Sequence, residues 1–176
     1  MKTLDISKIP SDFDKLKYVA DSINNSSIEI CFIYASDFRN SVILRSFVGI
    51  ICDSLGIEGK WKSRLILIID ELNNNAVEYG SKSDEVNSMR FSIITDVNGD
   101  VNINVEVEDT GASNLSKKAS EMVRLRENKG KGKKVRSNPI RGRGLFVIIE
   151  QLVDKLYFRD SKNGGLVVGV NKKIRF

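Results

Sequence analysis

The stretch DELNNNAVEYG, Asp70 to Gly80, sets carboxylates and amides into the end of a strongly apolar run. Glu71 and Asn75 are four apart, so on a helix their side chains leave the same face one turn from each other. A carboxylate so placed can take a proton from, or orient, an attacking hydroxyl, and an amide oxygen one turn on is a suitable hard ligand for Mg²⁺. The pair suits a metal and phosphate site. A single ExxxN spacing is more commonly met by solvated residues on an outer helix face, so the spacing does not decide between the two.

Two later stretches bear on the choice. VEVEDTGAS ends a run of strand-like alternation at Asp109 and turns at Gly111, which presents one carboxylate at a strand end with no side chain behind it to obstruct a flat ring. An aspartate there can accept a hydrogen bond from an exocyclic amine, although a lone DxG is also an ordinary turn. RGRGLFVI then places Gly142 and Gly144 at the mouth of a helical pattern, where free backbone N–H groups and the helix dipole favour a phosphate.

The elements that must position these residues follow from periodicity. Ser11 precedes DFDKLKYVADSI, an amphipathic helix opening at an N-cap serine. SSIEICFIYAS alternates and is β-branched, which predicts a strand ending near Ser36. DFRNSVILRSFVGIICDSLG has helical apolar spacing closed by Gly56, and KWKSRLILIIDELNNNAVEYG is the next helix, ending at Gly80. NSMRFSIITDV and VNINVEVED, split by Asn98-Gly99, predict an antiparallel hairpin. Residues 112–140 lose apolar periodicity and read as a long loop. GLFVIIEQLVDKLYF resumes a helix, and GGLVVGVNKKIRF closes the chain as a strand. Antiparallel neighbouring strands with helices gathered elsewhere predict an α+β fold: a two-layer sandwich whose mixed, mostly antiparallel sheet is covered on one face by helices.

The order of these motifs resembles the GHKL, or Bergerat-fold, ATPase superfamily over about residues 28–176. Glu71, Asn75 and Gly80 resemble its N box, Asp109 and Gly111 its first glycine box, and Gly142, Arg143, Gly144 and Leu145 its second. SDFRNSVILRSFVGIICDSLGI, DELNNNAVEYG and GRGLFVIIEQLVDKL are most similar to the stand-alone anti-sigma factor serine kinases. That resemblance implies a domain that binds ATP and Mg²⁺, forms a homodimer, holds a sigma factor and phosphorylates a serine on a small antagonist (anti-anti-sigma) protein. It implies Glu71 as base, Asn75 as Mg²⁺ ligand, Asp109 as adenine anchor, nucleotide contacts from both glycine boxes and a lid at about 112–141. The chain departs from the family at Ser113, where a further glycine is usual, and at Leu166, where threonine is usual. Residues 1–27 stand outside the resemblance as an N-terminal extension read as helical.

Composition narrows the partners. Apolar residues make up 41% of the 176 and charged residues 29%, the balance of one globular domain. The net charge of +5 is unevenly placed, because residues 112–143 hold eleven of the 28 Lys and Arg against only Glu121 and Glu127. The remainder is therefore net acidic. No Phe, Tyr or Trp interleaves the basic residues of 112–145, so the run suits a lid over phosphates better than a single-strand binding groove, and no direct nucleic-acid contact is expected. The chain has no histidine, which removes the usual general base, the commonest zinc ligand and any self-contained histidine phosphoacceptor. Cys31 and Cys52 read as reduced core residues. With no apolar run long enough to cross a bilayer and no secretory pattern at the start, the expected location is cytoplasmic and off the membrane.

Overall fold

A computed structural model describes residues 2–9, 27–57, 59–130 and 149–175, together with positions 11, 14 and 17. Its centre is a six-stranded sheet in the order β1-β2-β3-β4-β6-β5. The strands are β1 (Lys2–Asp5), β2 (Ser27–Ala35), β3 (Val86–Thr95), β4 (Val101–Glu108), β5 (Lys155–Asp160) and β6 (Leu166–Ile174). β1 runs parallel to β2 and every other pairing is antiparallel.

Alternation in sequence becomes a two-faced sheet. Phe32 and Tyr34 on β2, Met89 and Phe91 on β3, and Val105 and Val107 on β4 are buried on one face. Against that face pack α1 (Asn40–Ser54) and α2 (Lys60–Asn75), whose Phe47, Val48, Ile68 and Leu72 recur at helical spacing. Phe47 joins the layers, edge-on to Phe32 at 4.2 Å between centroids and to Phe91 at 5.6 Å. The opposite face carries a polar ladder: Arg90 bridges Glu106 and Glu108, Arg159 reaches Glu106, and the Tyr157 hydroxyl contacts Asn104 and Glu106. One buried face and one polar face are what a single helical layer requires.

The α+β sandwich, the strand ending near Ser36 (β2), both long helices and the hairpin match the sequence reading. Three elements differ. Lys2–Asp5, placed within a helical extension, is the parallel edge strand β1, because Leu4 and Ile6 supply apolar side chains that reach the core. The helix read after Ser11 lies largely outside the described residues, although its cap is present: Asp14 N–H donates to Ser11 Oγ at 3.1 Å. Residues 112–140 are not all loop, since α3 (Ala119–Gly130) lies along β5. Asp160 Oδ1 accepts the Ala119 N–H at 2.9 Å, and the Arg126 guanidinium donates to the Leu156 carbonyl at 3.0 Å, covering an otherwise bare sheet edge.

The third difference concerns the final helix. It is described only at 149–152 and ends at Val153, whose backbone is extended. Lys155–Asp160 is β5 instead. The Leu-Tyr-Phe run fits an apolar helical face, but Tyr157 lies flat against Gly169 on β6, a site that any Cβ there would fill. Tertiary pairing overrides the helical pattern.

Candidate functional site

α2 does not stop at Asn75 but continues as one π-helical turn, Ala76–Gly80, closed by a bond from Ser81 N–H to the Ala76 carbonyl at 3.0 Å. A π turn inside a helical run is often a functional irregularity, and here it brings Gly80 against the end of β4. A Cβ on Gly80 would collide with the Asp109 carboxylate. On the far side, Gly165 abuts the Asp109 carbonyl, and Gly111, at φ +71°, is so close to the β5–β6 turn that a Cβ would stand 2.6 Å from the Gly164 carbonyl oxygen. Glycine is required at each contact because backbone and carboxylate meet there without room for a side chain.

Asp109 is buried, 8% exposed. Its Oδ1 accepts the N–H groups of Gly111 and Leu166, each at 2.9 Å. Oδ2 accepts no hydrogen bond among the described residues and lies beside Gly80. One oxygen is thus fixed and the other is left as an acceptor. Burial raises the carboxyl above its ordinary value, the two N–H donors oppose that rise, and the charges of Glu108 and Glu85 add to it. The Leu166 side chain cannot hydrogen-bond, yet its backbone N–H supplies a donor. Ser113 is likewise held through its main chain, donating to the Gly80 carbonyl at 3.2 Å.

On α2 the polar residues divide by direction. The Asn75 side-chain N–H donates to the Glu71 carbonyl one turn back, which turns its Oδ1 away with no partner among the described residues. The Glu71 carboxylate also has no hydrogen-bond partner there. Burial raises the Glu71 carboxyl above its ordinary value, and the neighbouring Asp70 charge raises it further. The remaining polar residues serve helix packing. Asn73, fully buried, donates to Ser41 Oγ at 2.6 Å, Ser41 donates to Asn74 Oδ1 at 3.2 Å, and Asp70 pairs with Arg45 at 3.2 Å. The triple asparagine is therefore mostly an α1–α2 contact.

A second layer of polar residues supports the turn after β4. Ser81 Oγ donates to Asn87 Oδ1 at 2.6 Å and accepts the Thr110 N–H at 3.0 Å, while the Thr110 hydroxyl meets the Glu85 carboxylate. Ser81, Asn87, Thr110 and Glu85 carry no sequence signal of their own, because they sit on different elements at irregular spacing. Tyr34 pairs with Asn87 across β2 and β3, and burial together with the Asp109 charge pushes its phenol upward. Gly142, Arg143, Gly144 and Leu145 lie outside the described residues. The site thus holds Asp109, Gly111 and Gly80 together, with Glu71 and Asn75 on the helix that ends in that same glycine. Among the described residues, no group of three or more His, Cys, Asp or Glu is placed to hold a metal ion, and no helix is long and apolar enough to cross a membrane.

A glycine-lined carboxylate at a strand end, against the end of a helix whose Glu71 carboxylate and Asn75 amide oxygen have no partner among the described residues, describes a nucleotide-binding α+β domain. The chain belongs to the histidine kinase-like ATPase domain family, which it matches over residues 35–172. The match takes in both α2 and the Asp109 turn, and membership implies an ATP-binding domain. No curated protein matches the chain.

Proposed function

We propose that the protein is an ATP- and Mg²⁺-dependent serine protein kinase that phosphorylates a small anti-anti-sigma antagonist and, as a homodimer, holds a sigma factor in a partner-switching circuit. The observation that carries the chemical part is the division of labour at Asp109: Gly111 and Leu166 N–H groups fix Oδ1, while Oδ2 has no hydrogen-bond partner among the described residues. Asp109 Oδ2 accepts the exocyclic amine of adenine, and Gly80 and Gly111 let the helix end and the β5–β6 turn close around Asp109 and hold that carboxylate in place. Asn75 Oδ1 is the hard oxygen for Mg²⁺, oriented by the hydrogen bond that its side-chain NH₂ donates to the Glu71 carbonyl. When bound, ATP supplies the phosphoryl group and Mg²⁺ offsets its charge.

Glu71 faces the incoming serine hydroxyl as general base. Burial and then the Asp70 charge raise its carboxyl, which makes it a better proton acceptor than an exposed glutamate. The choice of a serine on a small antagonist, of a sigma factor and of a homodimer rests on the resemblance of the α1, N-box and second-glycine-box stretches to anti-sigma factor kinases.

The test is a transfer assay with ATP, Mg²⁺ and candidate serine-bearing antagonist proteins, read by mass spectrometry of the antagonist. A phosphoserine that requires Glu71 supports the kinase. ATP binding with no transfer to any antagonist would leave a nucleotide-binding regulator in its place.

A further inference from the structure

We propose that Ser81 and Asn87 are positioning residues for Asp109, and that a buried one-way chain of hydrogen bonds sets the orientation of the base-binding carboxylate. This rests on the reading that Asp109 receives the adenine amine.

The direction of the chain follows from counting protons. Ser81 Oγ has one proton to give, and Asn87 Oδ1, at 2.6 Å, can only accept. The Ser81 lone pairs are therefore left for Thr110. The Thr110 hydroxyl, 3.2 Å from Ser81 Oγ, has a charged acceptor in Glu85 and gives its proton there. What Ser81 receives is the Thr110 backbone N–H at 3.0 Å. That N–H belongs to the peptide joining Asp109 to Thr110, so the bond fixes the plane from which the Asp109 side chain departs.

The opposite edge of that peptide is fixed too, since the Asp109 carbonyl is pressed against Gly165. Ser81 is itself pinned by its N–H to the Ala76 carbonyl, and Asn87 sits on β3 opposite Tyr34. The chain thus ties the end of α2, the start of β3 and the turn after β4 at one hydroxyl. Ser81, Asn87 and Asp109 are buried and Thr110 is half-buried, so water competes little for the Ser81–Asn87 bond. Neither Ser81 nor Asn87 contacts the Asp109 carboxylate by a hydrogen bond, so both act through Thr110.

Two measurements separate this role from general support of the fold. Amide hydrogen exchange on the unliganded protein reads the chain alone: in Ser81→Ala the Thr110 N–H should exchange at least ~10-fold faster than in the parent. Unchanged exchange at Thr110 overturns the proposal whatever the protein binds. Calorimetry with ATP and Mg²⁺ then reads its consequence. Ser81→Ala should weaken binding roughly five- to tenfold in the parent, but less than about twofold in an Asp109→Asn background, as expected of coupled residues. An equal loss in both backgrounds makes Ser81 a structural residue and overturns the proposal. Ser81→Thr, which keeps the hydroxyl, should restore both readouts. Should Ser81→Ala not fold, Ser81→Cys, a weaker acceptor of similar volume, gives the same two comparisons. A parent that binds no ATP would instead overturn the nucleotide reading of Asp109, and the exchange result would still decide whether the chain orders the turn.

Discussion

Gly80 and Asp109 touch: the last residue of the π turn lies so close to the carboxylate that a methyl group on its Cα would occupy the space of the Asp109 side chain. The end of α2 and the end of β4 are therefore one structural unit. Gly80→Ala should displace Asp109, lower stability by ~1–3 kcal/mol, and weaken ATP binding by more than ~10-fold. Thermal unfolding and calorimetry on the same variant check both effects. Unchanged affinity would mean that the carboxylate does not need its observed position.

Glu71 and Asn75 should separate chemistry from binding. Glu71→Gln keeps the shape and loses the base, so transfer should fall by ~10²–10⁴-fold with nucleotide affinity little changed. Asn75→Ala should lose the Mg²⁺-dependent part of the affinity as well. The acid limb of the transfer rate should lie above the ordinary glutamate value, because burial and then the Asp70 charge raise the Glu71 carboxyl. Asp70→Asn removes that charge and should move the limb to lower pH. A limb that stays in place would show that the proton is taken elsewhere.

Asn73 offers the opposite contrast. It is fully buried and bonded to Ser41 on α1, so Asn73→Ala should lower stability by ~1–2 kcal/mol while ATP affinity stays within about twofold of the parent. Denaturant unfolding and calorimetry distinguish Asn73, a packing residue, from Asn75 two positions on, the proposed Mg²⁺ ligand.

How far the site was legible in the sequence depended on whether each residue's role is local. The placement of Glu71 and Asn75 one helical turn apart, and of Asp109 before a turn at Gly111, could be read because helix periodicity and turn chemistry act over a few residues. The support behind Asp109 could not, since Ser81, Asn87, Thr110 and Leu166 meet only after β3, β4 and β6 pair. The packing role of Asn73 and Asn74 has no local signal either, because the sequence shows their polarity and not Ser41, more than thirty positions away. β1 was missed for the same reason: four residues gain strand character only from the neighbouring β2. The helix α3 was hidden by low apolar content, and its anchoring bonds come from Asp160 and Leu156 on a distant strand.

The most direct test of the account is titration of ATP with Mg²⁺ into the parent and into Asp109→Asn. Oδ1 must remain an acceptor for the Gly111 and Leu166 N–H groups, so the new amide has to turn its NH₂ toward the ligand and meet the adenine amine donor to donor. Affinity should fall by at least ~10-fold. The same variant should be as stable as the parent or more so at neutral pH. A carboxyl raised in the folded state lowers stability above its folded value, and that loss vanishes as pH falls below the ordinary value near 3.8. Weaker ATP binding by an equally stable or more stable protein is the predicted result; ATP bound by Asp109→Asn as tightly as by the parent would contradict the assignment of this carboxylate as the adenine site.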